Sequence, residues 1–175
     1  MINCILCVDA TCGIGKSGII PWSIREDMQY FKQITTGAAN FSNAVIMGRH
    51  TYESIGHELP NRHNYILSSS SSKTLPTTNT THTMQSINNA LNDIATKQFN
   101  NIFIIGGKQL YEHFINNNIA KYIYITTLNH DYECNVHVDL NLDNYTCIET
   151  TVHDFYDRAN NITVNAMRSV YEKST

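Results

Sequence analysis

The sequence predicts an α/β fold built as one domain around a central, mostly parallel, twisted β-sheet. Three observations carry that prediction. Short apolar runs bounded by turn residues recur at 2–8 (INCILCV), 44–47 (AVIM), 64–67 (NYIL), 101–105 (NIFII) and 120–127 (AKYIYITT). Segments with helical spacing alternate with them. Strands apolar on both sides, separated by helices, belong to a parallel sheet covered on both faces. A chain of 175 residues with 42% apolar residues has enough material for one core, so a single domain over 1–175 is expected.

Each element has its own justification. Residues 2–8 read as a buried strand. Residues 9–22 read as loop, because Gly13, Gly15, Gly18 and Pro21 oppose regular structure. A helix is expected over 23–36. Ser23 and Glu26 have capping-box spacing, and Ile24, Asp27, Phe31 and Ile34 recur three and four apart on one face. Residues 37–43 form a polar connection. After the strand at 44–47, Gly48 ends it and a short helix covers 51–55. The strand at 64–67 leads into a serine-rich stretch, 68–72. Low-complexity loop follows over 74–83, with room for one short strand. Ser86 caps a helix to about residue 96, with Ile87, Leu91 and Ile94 on one face. After 101–105, Gly106-Gly107 make a tight turn into a helix over 108–115. Beyond the strand at 120–127 the chain reads as turns and strands, with Asn160-Asn161 as a hairpin turn.

Composition excludes several classes. Twelve Lys and Arg against fifteen Asp and Glu give a net charge of −3, so no basic excess attracts nucleic acid and no polybasic stretch suits a membrane surface. The first apolar run ends at Asp9, too short for a secretory signal or a membrane span. The five cysteines, Cys4, Cys7, Cys12, Cys134 and Cys147, contain no C-x-x-C pair, which points to a reducing, cytoplasmic setting without structural disulfides or zinc. The eight histidines have no metal-ligand spacing.

In a parallel sheet, ligands bind beyond the carboxyl ends of the strands. This places 9–27, 48–51, 68–69 and 106–111 on one rim. Asp27 draws attention there, because a carboxylate on a core-seeking helix face holds its proton more tightly than in water. The helix dipole also favours Asp in a first turn, so the pattern alone leaves both readings open. Gly48-Arg49-His50-Thr51 joins a strand to a helix start, an arrangement suited either to an anion or to a plain turn with a solvated Arg. Gly106-Gly107 lets backbone approach a ligand but lacks the full dinucleotide fingerprint. Arg62, in Leu59-Pro60-Asn61-Arg62, reads by itself as a solvated charge. Residues 10–17 match a relaxed phosphate-loop pattern, yet Gly18 and Pro21 oppose the helix such a loop requires.

Taken in order, these pieces resemble the dihydrofolate reductase family. The resemblance rests on the apolar first strand, Gly13-Ile-Gly-Lys-Ser-Gly-Ile-Ile-Pro-Trp22, Asp27 with Phe31, and Val45-Ile-Met-Gly-Arg-His-Thr-Tyr-Glu-Ser-Ile55. It continues through Leu59-Pro-Asn-Arg62, Ile66-Leu-Ser-Ser69, Ile104-Ile-Gly-Gly107 with Tyr111, and Tyr124-Ile-Thr126, and so spans essentially the whole chain. It implies about eight strands, the C-terminal one antiparallel, with four flanking helices.

The resemblance also implies NADPH-dependent reduction of dihydrofolate to tetrahydrofolate, in support of one-carbon metabolism and thymidylate synthesis, by a cytoplasmic monomer that antifolate inhibitors would bind. Asp27 would be the catalytic acid, holding the 2-amino group and N3 of the pterin, with Thr126 supporting it. Leu6, Cys7, Met28, Phe31, Lys32, Ile55, Leu59, Ile105 and Tyr111 would line the substrate pocket, and Arg62 would pair with the carboxylate of the glutamate tail. Gly15, Lys16, Ser17, Gly18, Ile19 and Ile20 would form a loop closing over the nicotinamide. Arg49, His50, Thr51, Ser68 and Ser69 would hold the phosphates, including the 2′-phosphate, and Gly106, Gly107, Lys108, Gln109 and Tyr111 the pyrophosphate side. Cys7, Ile14, Trp22, Gly48, Leu67, Ile105 and Leu110 would complete the cofactor site. The chain departs from the family's commoner pattern in having Lys108-Gln109 without an Arg, Tyr52, Cys7 and a longer connection at 37–43.

Three rivals differ in what they predict. A phosphate-loop kinase would hydrolyse ATP without binding NADPH. A non-catalytic binder would have lost catalytic positions, all of which are occupied here. A related pterin or flavin-pathway reductase of similar fold is the third, and the Asp27–Phe31 pair and Arg62 point to folate rather than a ribityl substrate.

Overall fold

The computed structural model describes residues 1–38, 41–69 and 75–174. Parts of the polar stretches expected at 37–43, 68–72 and 74–83 lie outside them. The chain runs β1 (Ile2–Val8), β2 (Gly13–Gly15), α1 (Arg25–Thr36), β3 (Asn43–Gly48), α2 (Arg49–Ile55), β4 (His63–Leu67), β5 (Thr81–Met84), α3 (Ile87–Ala95) and β6 (Asn101–Ile104). It continues through α4 (Lys108–Asn116), β7 (Tyr122–Leu128), β8 (Val136–His137), β9 (Tyr145–Asp157) and β10 (Ile162–Lys173). Eight strands make the main sheet, in the order β5-β4-β3-β6-β1-β7-β10-β9. The six from β5 to β7 are parallel; β10 runs antiparallel to both β7 and β9.

Strand alternation sorts the core into layers. Cys4, Leu6 and Val8 of β1 join Ala44, Ile46 and Ile104 under Leu110, Phe114 and Ile115 of α4 and Ala90 and Ile94 of α3. Ile5 points the other way, to Val45, Met47, Phe103 and Ile105, and is covered by Tyr30, Phe31 and Ile34 of α1 and Tyr52 and Ile55 of α2. A third cluster, with Trp22, Ile24, Leu128 and Phe155, fills the base of the β9–β10 hairpin. This double covering is why the central strands are apolar without alternation.

Two expectations are corrected. The capping box does not form. α1 starts at Arg25, its cap is Ile24 with φ −113 and ψ 110, and no side chain caps it. The preceding residues are drawn instead into pairing with the hairpin: Ile24 bridges Asp157, the Ser23 N–H donates to Asp157 Oδ1 at 2.9 Å, and the Arg158 N–H donates to the Ser23 carbonyl at 3.0 Å. Ile24 therefore packs under the hairpin and not on the helix face with Phe31. Second, the loop at 9–22 contains β2, which pairs antiparallel with β8. The Ser86 cap does form, accepting from the Asn89 N–H at 3.2 Å.

Asp157 is fully buried and accepts from the Ser23 N–H, the Ala159 N–H, the Tyr132 hydroxyl and the Asn160 amide. Burial pushes its carboxyl up, but these donors outweigh it and hold it below the usual carboxylate range. A depressed folded-state pKa contributes stability that is present above the unfolded value and is lost as pH falls through the folded one. Asp157→Ala should therefore cost about 3 kcal/mol at neutral pH. In denaturant titrations the gap from wild type should narrow as pH falls below the usual carboxylate range.

Candidate active site

The strand ends bring the rim together as expected. The Gly48 N–H donates to the Gly106 carbonyl at 2.8 Å, joining the tip of β3 to the turn after β6. α2 is capped by Gly48 and α4 by Gly107, so two helix starts face one another. The two glycine turns lie in contact: a Cβ at Gly48 would be 3.7 Å from the Gly107 nitrogen and 3.9 Å from the Gly106 carbonyl oxygen. Gly106, with φ +126, lies against Thr51 and the Tyr111 hydroxyl, in backbone space open to glycine. Arg49 lies 3.5 Å from His50 at the mouth, and Lys108 and Gln109 are exposed beside it. Paired helix starts with free N–H groups and a nearby Arg suit the phosphates of a dinucleotide, so these residues fit such a group.

The acid lies across β1. Asp27, in the first turn of α1, is partly buried and faces the sheet. Burial pushes its carboxyl up from the ordinary value; the Thr126 side chain, the Arg168 charge and the Cys7 thiol pull in the other direction without prevailing. The Cys7 thiol is itself pushed up by burial and then by Asp27, so it stays protonated and can donate. The result is a carboxyl that holds its proton more tightly than it would in water, with its surroundings already arranged.

Further along α1, Phe31 sits one turn on, in the same cluster as Ile5, Ile55, Leu59 and Ile105. Arg62 ends this wall. It is only 2% exposed, yet has no ion-pair partner among the described residues. Its Nη1 donates to the Thr35 hydroxyl at 2.7 Å and its Nε to the Pro60 carbonyl at 3.0 Å, while its guanidinium lies 5.9 Å from the Phe31 ring centre. The buried Asn64 side chain fixes the turn by binding Leu59 and Arg62. Two of its nitrogens are thus held by the protein, and Nη2 makes no hydrogen bond among the described residues.

Other predicted residues lie elsewhere. Leu6, Ile14, Leu67 and Leu110 pack in the layer beneath α3 and α4, on the opposite face of the sheet from Asp27. Met28 and Lys32 line a shallow groove with Ser23, Arg25, Gln29 and Arg158 on the exposed flank of α1. The Tyr111 hydroxyl is committed to the Ile5 carbonyl at 3.0 Å. Ser68 is buried and Ser69 exposed at the end of β4. Trp22 is buried against Tyr132, with ring centres 5.1 Å apart.

The glycine loop is built from its base. Asp9, fully buried, accepts from the N–H groups of Thr11, Gly13 and Tyr132 and from the Thr11 hydroxyl. At the tip, Lys16 and Ile19 exchange two backbone bonds around Ser17 (φ 51) and Gly18 (φ 83), a tight turn and not the helix a phosphate loop needs. Lys16 pairs with Glu133 at 2.8 Å, and Ile19 and Ile20 stand out in solvent.

Sequence reasoning passed over Ile5, Tyr30, Thr35, Asp9 and Arg168. Ile5 was accessible through its alternation with Cys7. Arg168 had no local signal, because it reaches the site only through the register that pairs it with Thr126.

Comparison with known proteins gives the fold a family. The family model for dihydrofolate reductase matches residues 1–172. A dihydrofolate reductase from Candida albicans is 39% identical over 132 residues, 73% of this chain and 67% of the relative. One from Bacillus subtilis is 34% identical over 137 residues, 78% of this chain and 74% of the relative. A protein of Mycoplasmoides gallisepticum named segregation and condensation protein A is 34% identical over 154 residues, but this chain spans only 24% of its length. The chain is thus an oxidoreductase of tetrahydrofolate biosynthesis, with a nicotinamide cofactor and a small-molecule substrate. It belongs to the dihydrofolate reductase family. Among the described residues, no helix is long and apolar enough to cross a membrane.

Gly13 offers a test of the loop base. A Cβ there would sit 2.3 Å from Cys134 Cβ and 2.9 Å from Asp9 Oδ1. Gly13→Ala should destabilise the fold by about 2 kcal/mol, read as a lowered denaturant midpoint, because neither neighbour is free to move.

Proposed function

We propose that this chain catalyses the NADPH-dependent reduction of 7,8-dihydrofolate to 5,6,7,8-tetrahydrofolate, with hydride delivered to C6 and a proton to N5. The observation that carries the proposal is Asp27: a carboxyl biased toward its proton-bearing form, beside Thr126, on the sheet face that also carries Phe31 and Ile105, the residue before the Gly106-Gly107 turn. The same reading makes the protein a cytoplasmic monomer of one domain over 1–175 that antifolate inhibitors bind, supplying one-carbon metabolism and thymidylate synthesis.

Bound NADPH supplies the hydride. The chain's own residues bind, orient and exclude water. Asp27 accepts from the 2-amino group and N3 of the pterin and stabilises the protonated ring; a water carries the proton to N5, which Asp27 does not itself reach. Ile5, Phe31, Ile55 and Leu59 form the apolar wall that fixes the plane of the ring. Arg62 meets the α-carboxylate of the glutamate tail, a role supported by its burial without an acidic partner among the described residues. Arg49 and His50 at the start of α2 meet the 2′-phosphate, the basis for preferring NADPH over NADH. Ile19 and Ile20 close over the nicotinamide side; their exposure at a tight turn supports that role.

Mixing protein, NADPH and dihydrofolate should deplete absorbance at about 340 nm, with NADH far less effective. Asp27→Asn should lower turnover about a hundredfold at neutral pH, with partial recovery as pH falls and the substrate arrives already protonated. Full activity of that variant at about pH 8 would refute the role given to Asp27. Arg62→Gln should raise the KM for dihydrofolate about tenfold or more while leaving the KM for NADPH and the kcat near wild type.

A further inference from the structure

Arg168 stands in β10 directly across from Thr126 of β7, its Cα partner in the antiparallel register. Its side chain reaches over the start of α1. The guanidinium carbon lies 4.3 Å from the Tyr30 ring centre and 4.8 Å from that of Phe155, so it rests on two aromatic faces. Its Nη2 donates to the carbonyl of Glu26, the residue before Asp27, at 2.8 Å. Its Nε is buried with no hydrogen-bond partner. No acid lies within ion-pair distance of it among the described residues. Two ring faces and one hydrogen bond thus hold a permanent cation beside the Asp27 turn, and none of them neutralises it.

A guanidinium is suited to such a place. It stacks on rings, is weakly hydrated, and keeps its charge when partly desolvated. An apolar side chain would fill the gap between Tyr30 and Phe155 without leaving an unsatisfied donor, so packing alone does not account for the choice of residue.

We propose that Arg168 is a positioning residue for the reductase reaction, clamping the first turn of α1 to β10 and setting the pH range of turnover by keeping a fixed positive charge beside Asp27. The inference rests on the reductase reading above. The other groups around the acid do not supply that charge. Cys7 on β1, Tyr30 on α1, Tyr111 on α4 and Tyr124 on β7 are all pushed up by burial and stay neutral through the working range. Glu149 on β9 acts on Tyr30 and Tyr124 and is negative. Arg168 is the cation that acts on Asp27. A nearby positive charge disfavours the extra proton that the Asp27–pterin pair must hold for turnover. Removing the charge should therefore move the alkaline fall of activity to higher pH.

The test compares kcat/KM for dihydrofolate, with saturating NADPH, across pH in wild type, Arg168→Gln and Arg168→Lys. Gln retains a donor for the Glu26 carbonyl but loses the charge; Lys retains the charge. At about pH 8, Arg168→Gln should keep about fivefold more of its own maximal activity than wild type, while Arg168→Lys follows the wild-type profile. A Gln profile that overlays wild type, or equal displacement of Gln and Lys, overturns the proposal. If Arg168→Gln fails to fold, Arg168→Met replaces it, with the same two outcomes. The carboxyl of Asp27, followed by carbon-13 NMR in the ligand-free protein, gives a second readout. Its midpoint should rise on loss of the charge; an unmoved midpoint overturns the proposal. Should wild type prove inactive at every pH, the reductase reading fails, and this titration still decides whether Arg168 governs Asp27.

Discussion

The alternation of side chains along β1 is the constraint on which this molecule is built. Successive residues of a strand point to opposite faces. Cys4, Leu6 and Val8 therefore commit one face to α3 and α4, and Ile5 and Cys7 commit the other to α1 and the acid it carries. A slip of one residue in the pairing of β1 with β6 and β7 would exchange the two sets, pushing Leu6 toward the carboxyl and Cys7 into the opposite layer. Pairing on both edges of β1, to β6 and to β7, guards that register. The chemistry on the rim inherits its precision from this.

Much of the fold was legible because the strong signals are local. Apolar runs marked β1, β3, β4, β6 and β7, and Ser86 marked the start of α3, where its side chain does cap the helix. The rim was legible too, since Gly48 and Gly107 end strands and open helices within a few residues. The misreadings share a cause. Ser23 and Glu26 have the spacing of a capping box, but the hairpin far along the chain offers Ser23 backbone pairing and the Asp157 carboxylate, and that pairing sets where α1 begins. β2 was hidden because its partner, β8, is two residues long and lies in a distant loop.

At the site, residue types were readable and orientations less so. Phe31, Ile55, Leu59 and Arg62 gather as one wall, with Asp27 one turn before Phe31 on α1, because helix period and turn chemistry determine where they point. Leu6, Leu67 and Leu110 do not join them, since naming a stretch of strand or helix says nothing of which side each member takes until alternation is applied. Arg62 illustrates the opposite error. Beside a turn it resembles a solvated charge, yet Thr35, Pro60 and Asn64 draw it inside.

The glycine loop is fastened unequally. Its root is knotted around the buried Asp9, where the bonds are shielded from water. Its tip is tied by Lys16 to Glu133 and by the Ser17 N–H to Asn135, both in solvent and the former weakened by dissolved ions. A segment anchored hard at one end and lightly at the other is built like a lever on a fixed fulcrum, with the fulcrum at Asp9 and the light end at residues 16 and 17. Dissolved ions therefore weaken the fastening of the tip and leave the shielded bonds at the root, next to β1, in place.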